Sequence, residues 1–302
     1  MSEKTTSSQV EKKPSKRKDY MLFTKIRLSV SVVVSALSGY LFALGIEGKS
    51  SSGLELLYLL LGGILVTGAS NGTNQIIEKD LDAQMNRTKM RPLPQGNMSV
   101  REGVIVVAVC LIVGTWMLYQ LNLYAAVLGL LSYVSYSFVY TPMKRISPWA
   151  VLVGAFPGAI SPMIGAVAVT GEFGLLPGAL FFVQFVWQFP HFWAIAWISH
   201  DDYQQGGFDL LPSKSGKSKA SAFQIMFYAL LLIPFSLFPW LLDYVQSNIT
   251  VVIISVLGLL FFLYAFKLYR TLEDADARKL MFASIIYLPL IQFTYVLDRF
   301  FV

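Results

Sequence analysis

An all-α protein that crosses a membrane nine times is what this sequence predicts, and three observations lead there. Of its 302 residues, 55% are hydrophobic and only 14% charged, with a mean hydropathy of +0.57, whereas soluble domains carry about 25% charged residues. The apolar residues fall into nine runs, each near the roughly 20 residues a helix needs to cross a hydrocarbon core. The basic residues gather in alternate connections between those runs, the pattern that orients a polytopic protein in a bilayer.

Residues 1–20 are polar and basic, with Lys12, Lys13, Lys16, Arg17 and Lys18. Glu3, Glu11 and Asp19, and the lack of an apolar core, separate them from secretory signals and mitochondrial presequences. They are expected to form a disordered basic cytoplasmic tail in touch with anionic lipids. A single transmembrane domain over 21–302 follows.

The spans are expected at 23–45, 54–78, 102–121, 123–141, 149–170, 175–199, 222–243, 249–268 and 280–299. A polar break at Gln120 and Asn122 separates the third from the fourth, and two helices with a tight turn fit that length better than one. Basic residues mark the tail, the 79–101 loop, Lys144 and Arg145, the 200–221 loop and the 267–279 loop. The positive-inside rule places these, and the N-terminus, in the cytoplasm. The net charge of +6 and pI near 9.2 therefore speak of orientation in a membrane rather than nucleic-acid binding. The single cysteine, Cys110, lies within a span, which excludes an intrachain disulfide and a thiolate metal site. Prolines inside spans (Pro157, Pro162, Pro190, Pro234, Pro239, Pro289) are tolerable where neighbouring helices satisfy the freed backbone groups. Gly154 and Gly158 form a small-xxx-small pair that marks a close helix contact.

The most informative stretch is 71–96, NGTNQIIEKDLDAQMNRTKMRPLPQG. Asn74, Glu78 and Asp82 are four apart, so on a helix they stack along one face. An amide and two carboxylates suit a hard cation such as Mg²⁺, which takes oxygen ligands and bridges to phosphates. Arg87, Lys89 and Arg91 follow at once, so a Mg²⁺-diphosphate substrate would satisfy both sets of charges. Mixed charges in a loop are more often surface ion pairs worth about 0–1 kcal/mol, and Lys79 and Asp80, which point off the stacked face, fit that description. Carboxylates at a membrane helix end are costly unless used, which favours a functional trio.

A second constellation leaves the sixth span: Gln188, Pro190, His191, Trp193, His200, Asp201, Asp202 and Tyr203. Many membrane-helix histidines are packing residues, yet intramembrane ionisable groups are functional candidates. Neutral imidazole can ligate haem iron or orient a substrate. Adjacent helical residues diverge by about 100°, so only one of Asp201 and Asp202 can face a shared site. Lys144 and Arg145, in YTPMKR, add charge on the same side, whereas Lys25 and Arg27 are weaker candidates that topology alone explains.

Taken together, NQxxE-xxx-D followed by MNRTKMRPLPQG, then YTPMKR, then PHFW…DDYQQGG resemble the UbiA-type intramembrane prenyltransferases over residues 23–300. Within that superfamily they are most similar to its haem-farnesylating branch. The superfamily's usual first motif, NDxxDxxxD, is met here by Asn74, Gln75, Glu78 and Asp82. In the second motif, DxxxD, Ile198 stands at the first place and only Asp202 matches, with His191 where aromatic prenyltransferases often have aspartate. Asp201 matches no acidic place.

The resemblance implies a nine-helix UbiA-type bundle around a central cavity open to the cytoplasm and laterally to lipid. It implies farnesyl diphosphate on Mg²⁺ held by Asn74, Glu78, Asp82 and Asp202, with Arg87, Lys89, Arg91, Lys144 and Arg145 on the diphosphate. The farnesyl cation would alkylate a vinyl group of haem b and water would add, giving haem O. Beside what the resemblance implies, the chemistry of imidazole makes His191 a candidate axial ligand or haem-positioning group. The setting implied is a bacterial plasma membrane with the site facing the cytoplasm, membrane lipids around it and a downstream haem A synthase or oxidase as partner. Two other readings stay open: prenylation of an aromatic quinone precursor, and a haem transporter or oxidase assembly factor without chemistry.

Overall fold

The computed structural model describes residues 15–298, and its secondary structure there is helical throughout. A short helix, α1 (Lys16–Phe23), precedes nine helices long and apolar enough to cross a membrane among the described residues. These are α2 (Ile26–Glu47), α3 (Gly53–Ile77), α5 (Val100–Tyr119), the run Leu123–Met143, α8 (Ala150–Thr170), α9 (Leu175–Ile198), the run Lys219–Leu241, α13 (Asn248–Thr271) and α14 (Asp274–Leu297). The fourth run consists of α6 (Leu123–Val134), a π-helical turn (Ser135–Tyr140) and α7 (Thr141–Met143); the seventh of α11 (Lys219–Ser236) and α12 (Phe238–Leu241). Two short helices, α4 (Lys79–Asp82) and α10 (His200–Gln205), continue α3 and α9 beyond their ends.

Side-chain caps set where several helices start. Ser52 and Glu55 form a reciprocal capping box at α3, and Ser99 accepts from the Glu102 amide at α5. Asn122 accepts from the Ala125 amide at 2.8 Å while its own amide reaches the Val167 carbonyl at 2.9 Å. That cap confirms a tight turn between the third and fourth spans. Helix α14 begins six residues before the expected 280, because Asp274 and Asp276 suit a helix N-terminus. Asp276 is held there by Lys267, Lys279 and Thr271.

The bundle is centred on α8, 72% of whose membrane window is buried, against 28% for lipid-facing α13. Its closest neighbour is α2: a methyl group at Gly39 would run into the Pro162 carbonyl, and one at Gly165 into the Ala36 carbonyl. On its other side Gly154 receives the Tyr140 ring and Gly158 the Gln188 amide, the close contact expected of that pair. Pro162 cannot donate to the Gly158 carbonyl four residues back, and Gln184 Nε2 of α9 donates to it instead at 2.7 Å. Gln188 Nε2 donates to the Ala155 carbonyl at 2.7 Å, so this member of the second constellation is a helix stitch.

Of the tail expected over 1–20, residues 1–14 lie outside the described residues. The remainder departs from expectation by being helical. Phe23 of α1 is fully buried against Gly72 and Gly103, and Lys16 and Tyr20 both reach Glu102, at 3.0 and 2.6 Å. An aromatic anchor and a cross-helix ion pair give this stretch the packing that its composition alone does not announce.

Candidate active site

Helix α3 ends at Ile77, and Glu78 (φ −95°, ψ 9°) bends the chain into α4. The hydrogen-bond ladder survives the bend: the Glu78 amide donates to the Asn74 carbonyl at 2.9 Å and the Asp82 amide to the Glu78 carbonyl at 2.8 Å. Asn74, Glu78 and Asp82 therefore keep their helical stacking, as their spacing predicts. They are only 2%, 4% and 0% exposed, which rules out a solvated charged face.

Buried carboxylates need partners. Glu78 pairs with Lys144 at 2.5 Å and Asp82 with Arg91 at 2.5 Å. The Lys144 ammonium also lies 5.2 Å from the Tyr140 ring and 5.4 Å from that of Phe208, within cation–π range. Asn74 Nδ2 donates to Thr141 Oγ1 at 3.2 Å, and Thr141 donates to the Tyr136 carbonyl at 2.8 Å. Thus the acidic end of α3 meets the π-helical turn of the fourth span, a distortion that recurs at functional sites. Arg91 is brought in by a loop anchored on buried Met85, Leu93 and Met98, and Thr88 Oγ1 donates to the Asp82 carbonyl at 3.0 Å.

The electrostatics follow burial first and charge second. Desolvation raises the Asp82 pKa, opposed by Arg91; it lowers that of Lys144, opposed by Glu78. Lys25 falls to about 7, mainly by burial and then by repulsion from Arg91 and Lys144. Lys25 sits at the α1–α2 junction with left-handed backbone (φ 48°) and has no ion-pair or hydrogen-bond partner for its ammonium among the described residues. Three interactions from α3 hold this strained turn: Gln75 Nε2 donates to the Leu22 carbonyl at 3.1 Å and the Phe23 carbonyl at 2.7 Å, and Asn71 Nδ2 to the Thr24 carbonyl at 3.3 Å. Gln75, next to Asn74 but about 100° round the helix, is a latch for α1. The sequence underrated Lys25 because a basic residue is expected at any such span end.

The other expected site residues are distributed differently. Asp202 accepts from the Asn86 amide on Oδ1 (2.8 Å) and the Arg87 amide on Oδ2 (3.4 Å), and so clasps the basic loop. The break at Ser199 starts α10 and turns the Asp202 face toward that loop. Arg87 lies 5.1 Å over the Tyr203 ring, with Nη2 3.3 Å from its hydroxyl. Lys89 folds back on Asn86 at 2.7 Å, and Arg145 is exposed with no ion pair among the described residues; neither reaches the buried pairs. Asp201 faces solvent. His200 lines a separate polar cleft of about 310 Å³ with Asp209, Lys214 and Lys217. His191 points to α14, where Nδ1 lies 2.7 Å from Ser284 Oγ.

No group of three or more His, Cys, Asp or Glu side chains stands ready as a metal cage among the described residues. Asp82 Oδ1, however, is buried with no hydrogen-bond partner, and Glu78 Oε1 has its ion pair without a well-aligned hydrogen bond. The unpartnered, buried Asp82 Oδ1, on the face shared with Glu78 and Asn74, fits a hard cation whose remaining ligands come from a substrate.

A family model described as the UbiA prenyltransferase family matches residues 32–286. The protoheme IX farnesyltransferase of Cytophaga hutchinsonii is 46% identical, covering 93% of this chain and 97% of the relative. Among solved structures, a digeranylgeranylglyceryl phosphate synthase superposes with a TM-score of 0.76 at 19% identity, covering 94% of this chain and 98% of the other. A UbiA homologue from Archaeoglobus fulgidus, bound to GPP and Mg²⁺, superposes with a TM-score of 0.62 at 15% identity, covering 92% and 99%. In sequence and in fold, the chain belongs to the UbiA prenyltransferase family.

Proposed function

We propose that this chain transfers a farnesyl group from farnesyl diphosphate to a vinyl group of haem b, with addition of water, giving haem O and diphosphate. The observation that carries the reading is the double ion pair, Glu78 with Lys144 and Asp82 with Arg91. Two buried anions and two cations of this kind can exchange partners when a divalent cation and a diphosphate arrive together. The name of the Cytophaga relative supports the farnesyl and haem substrates.

In this reading Asn74, Glu78 and Asp82 would hold Mg²⁺, which would neutralise the diphosphate and polarise its oxygens. Lys144 and Arg91, released by the carboxylates, turn to the phosphate oxygens and stabilise the charge that grows there as the allylic C–O bond breaks. The Tyr140 and Phe208 rings beside Lys144 help to exclude water from the allylic cation. The vinyl electron pair of haem forms the new C–C bond, and water adds to the resulting cationic centre and loses a proton. Asp202 keeps the 86–91 loop closed over this chemistry. The basic connections at this end of the bundle support a cytoplasmic site in a bacterial plasma membrane, with product passing to a haem A synthase or oxidase.

Membranes containing the protein, incubated with haem b, farnesyl diphosphate and Mg²⁺, should yield a haem heavier by farnesyl plus water, identified by mass, and EDTA should abolish it. Prenylation of an added aromatic acid with haem untouched would overturn the haem assignment and leave the diphosphate site standing. Full activity in a Glu78→Gln/Asp82→Asn double variant would overturn the site itself.

A further inference from the structure

We propose that Ser284 of α14, with Trp187 of α9, holds His191 in the one tautomer that offers Nε2 to the iron of a porphyrin substrate. This rests on the haem reading above and adds the positioning residues.

Ser284 Oγ donates to the Met281 carbonyl at 2.6 Å and also lies 2.7 Å from His191 Nδ1. A serine hydroxyl has a single proton, and here it is spent on the carbonyl. Toward the imidazole the oxygen can then only accept, so Nδ1 carries the hydrogen. In a neutral ring that leaves the lone pair on Nε2, and Nε2 has no hydrogen-bond partner among the described residues. The network thus assigns the tautomer, as such assignments must be made where hydrogens are not seen.

Trp187 fixes the remaining freedom. Its indole stacks on the His191 ring with centroids 4.6 Å apart and planes inclined by 15°. The same indole donates from Nε1 to the Ser284 carbonyl at 2.9 Å. One residue of α14 therefore grips both aromatic side chains of α9, one turn apart. Ser284 is fully buried, so water does not compete for its oxygens. A stacked ring covers one face of the imidazole, whereas the Nε2 lone pair lies in the ring plane and stays free to meet a metal. Histidines that ligate metals nearly always donate their other N–H to a fixed acceptor, and losing that acceptor typically costs 10–100-fold in affinity.

The purified protein would be titrated with haem b and, separately, with iron-free protoporphyrin IX, both without farnesyl diphosphate. Wild type should show the absorption and spin-resonance signature of histidine-ligated haem iron, and His191→Ala should lose it. Ser284→Ala should weaken haem b binding by about tenfold or more and leave iron-free porphyrin binding unchanged. Ser284→Thr, which keeps the hydroxyl, should restore the wild-type signature. Equal weakening of both porphyrins in Ser284→Ala would reveal a packing role and overturn the inference. Farnesylation of haem by a wild-type protein lacking the histidine signature would overturn the inference while the function stands. A wild type that neither binds nor farnesylates haem would sink both.

Discussion

Two acidic stretches leave the bundle at the same end, and they fare differently. Asn74, Glu78 and Asp82 form one buried, cation-paired site. The members of the second stretch scatter: Gln188 to α8, His191 to α14, Asp202 to the 86–91 loop and Asp201 to solvent. Length along the helix explains the contrast. The first trio is spread over eight helical steps, about 12 Å at 1.5 Å per step, and can face one neighbourhood. The run from Gln188 to Tyr203 covers about 22 Å and meets a different neighbour at each turn. Equal step and short span make a polar pattern a site, whereas the same residue types spread over four turns become separate contacts.

Four measurements test this contrast. Turnover in a Glu78→Gln or Asp82→Asn variant should fall on the order of 10²–10³-fold, the scale for losing one group that stabilises developing charge. Lys144→Gln should cost about 10–10²-fold, seen in kcat/KM for the diphosphate substrate, because Arg91 remains. A smaller loss, less than about tenfold, is expected for Asp202→Asn, which keeps an oxygen to accept the Asn86 amide. If its turnover instead fell as far as that of Asp82→Asn, Asp202 would have to belong to the metal set and the contrast would collapse.

The smallest effect is a pH slope. The pKa of Lys25 is lowered from an ordinary 10.5 to about 7. Between those values the unfolded chain holds a proton that the folded chain has lost, so stability rises with pH across this window. Below about pH 7 both states are protonated and the cost of burying the cation is fully present. Thermal melting in detergent from pH 6 to 10 should show the rise in wild type and a flatter profile in Lys25→Met. An identical slope in the variant would assign the effect to other groups.

Much of this was legible before any coordinates. Hydropathy located nine spans because the bilayer demands about 20 apolar residues of every crossing helix. The four-residue spacing of Asn74, Glu78 and Asp82 determined a shared face because helical geometry is local. The charge balance around that face called for cations, and of the five the sequence offered the structure delivers Lys144 and Arg91 to it. Tertiary structure alone decided what lies far apart in sequence: that Gln75 latches α1 in place, that Asp202 clasps a loop 116 residues before it, and that Ser284 meets His191 across 93 residues. Residue type and spacing describe which groups can act, but the direction of a side chain and the neighbour it finds depend on how the helices pack. In this protein that packing turns on close contacts such as those at Gly39 and Gly165, where small residues permit a close approach without saying which helix makes it.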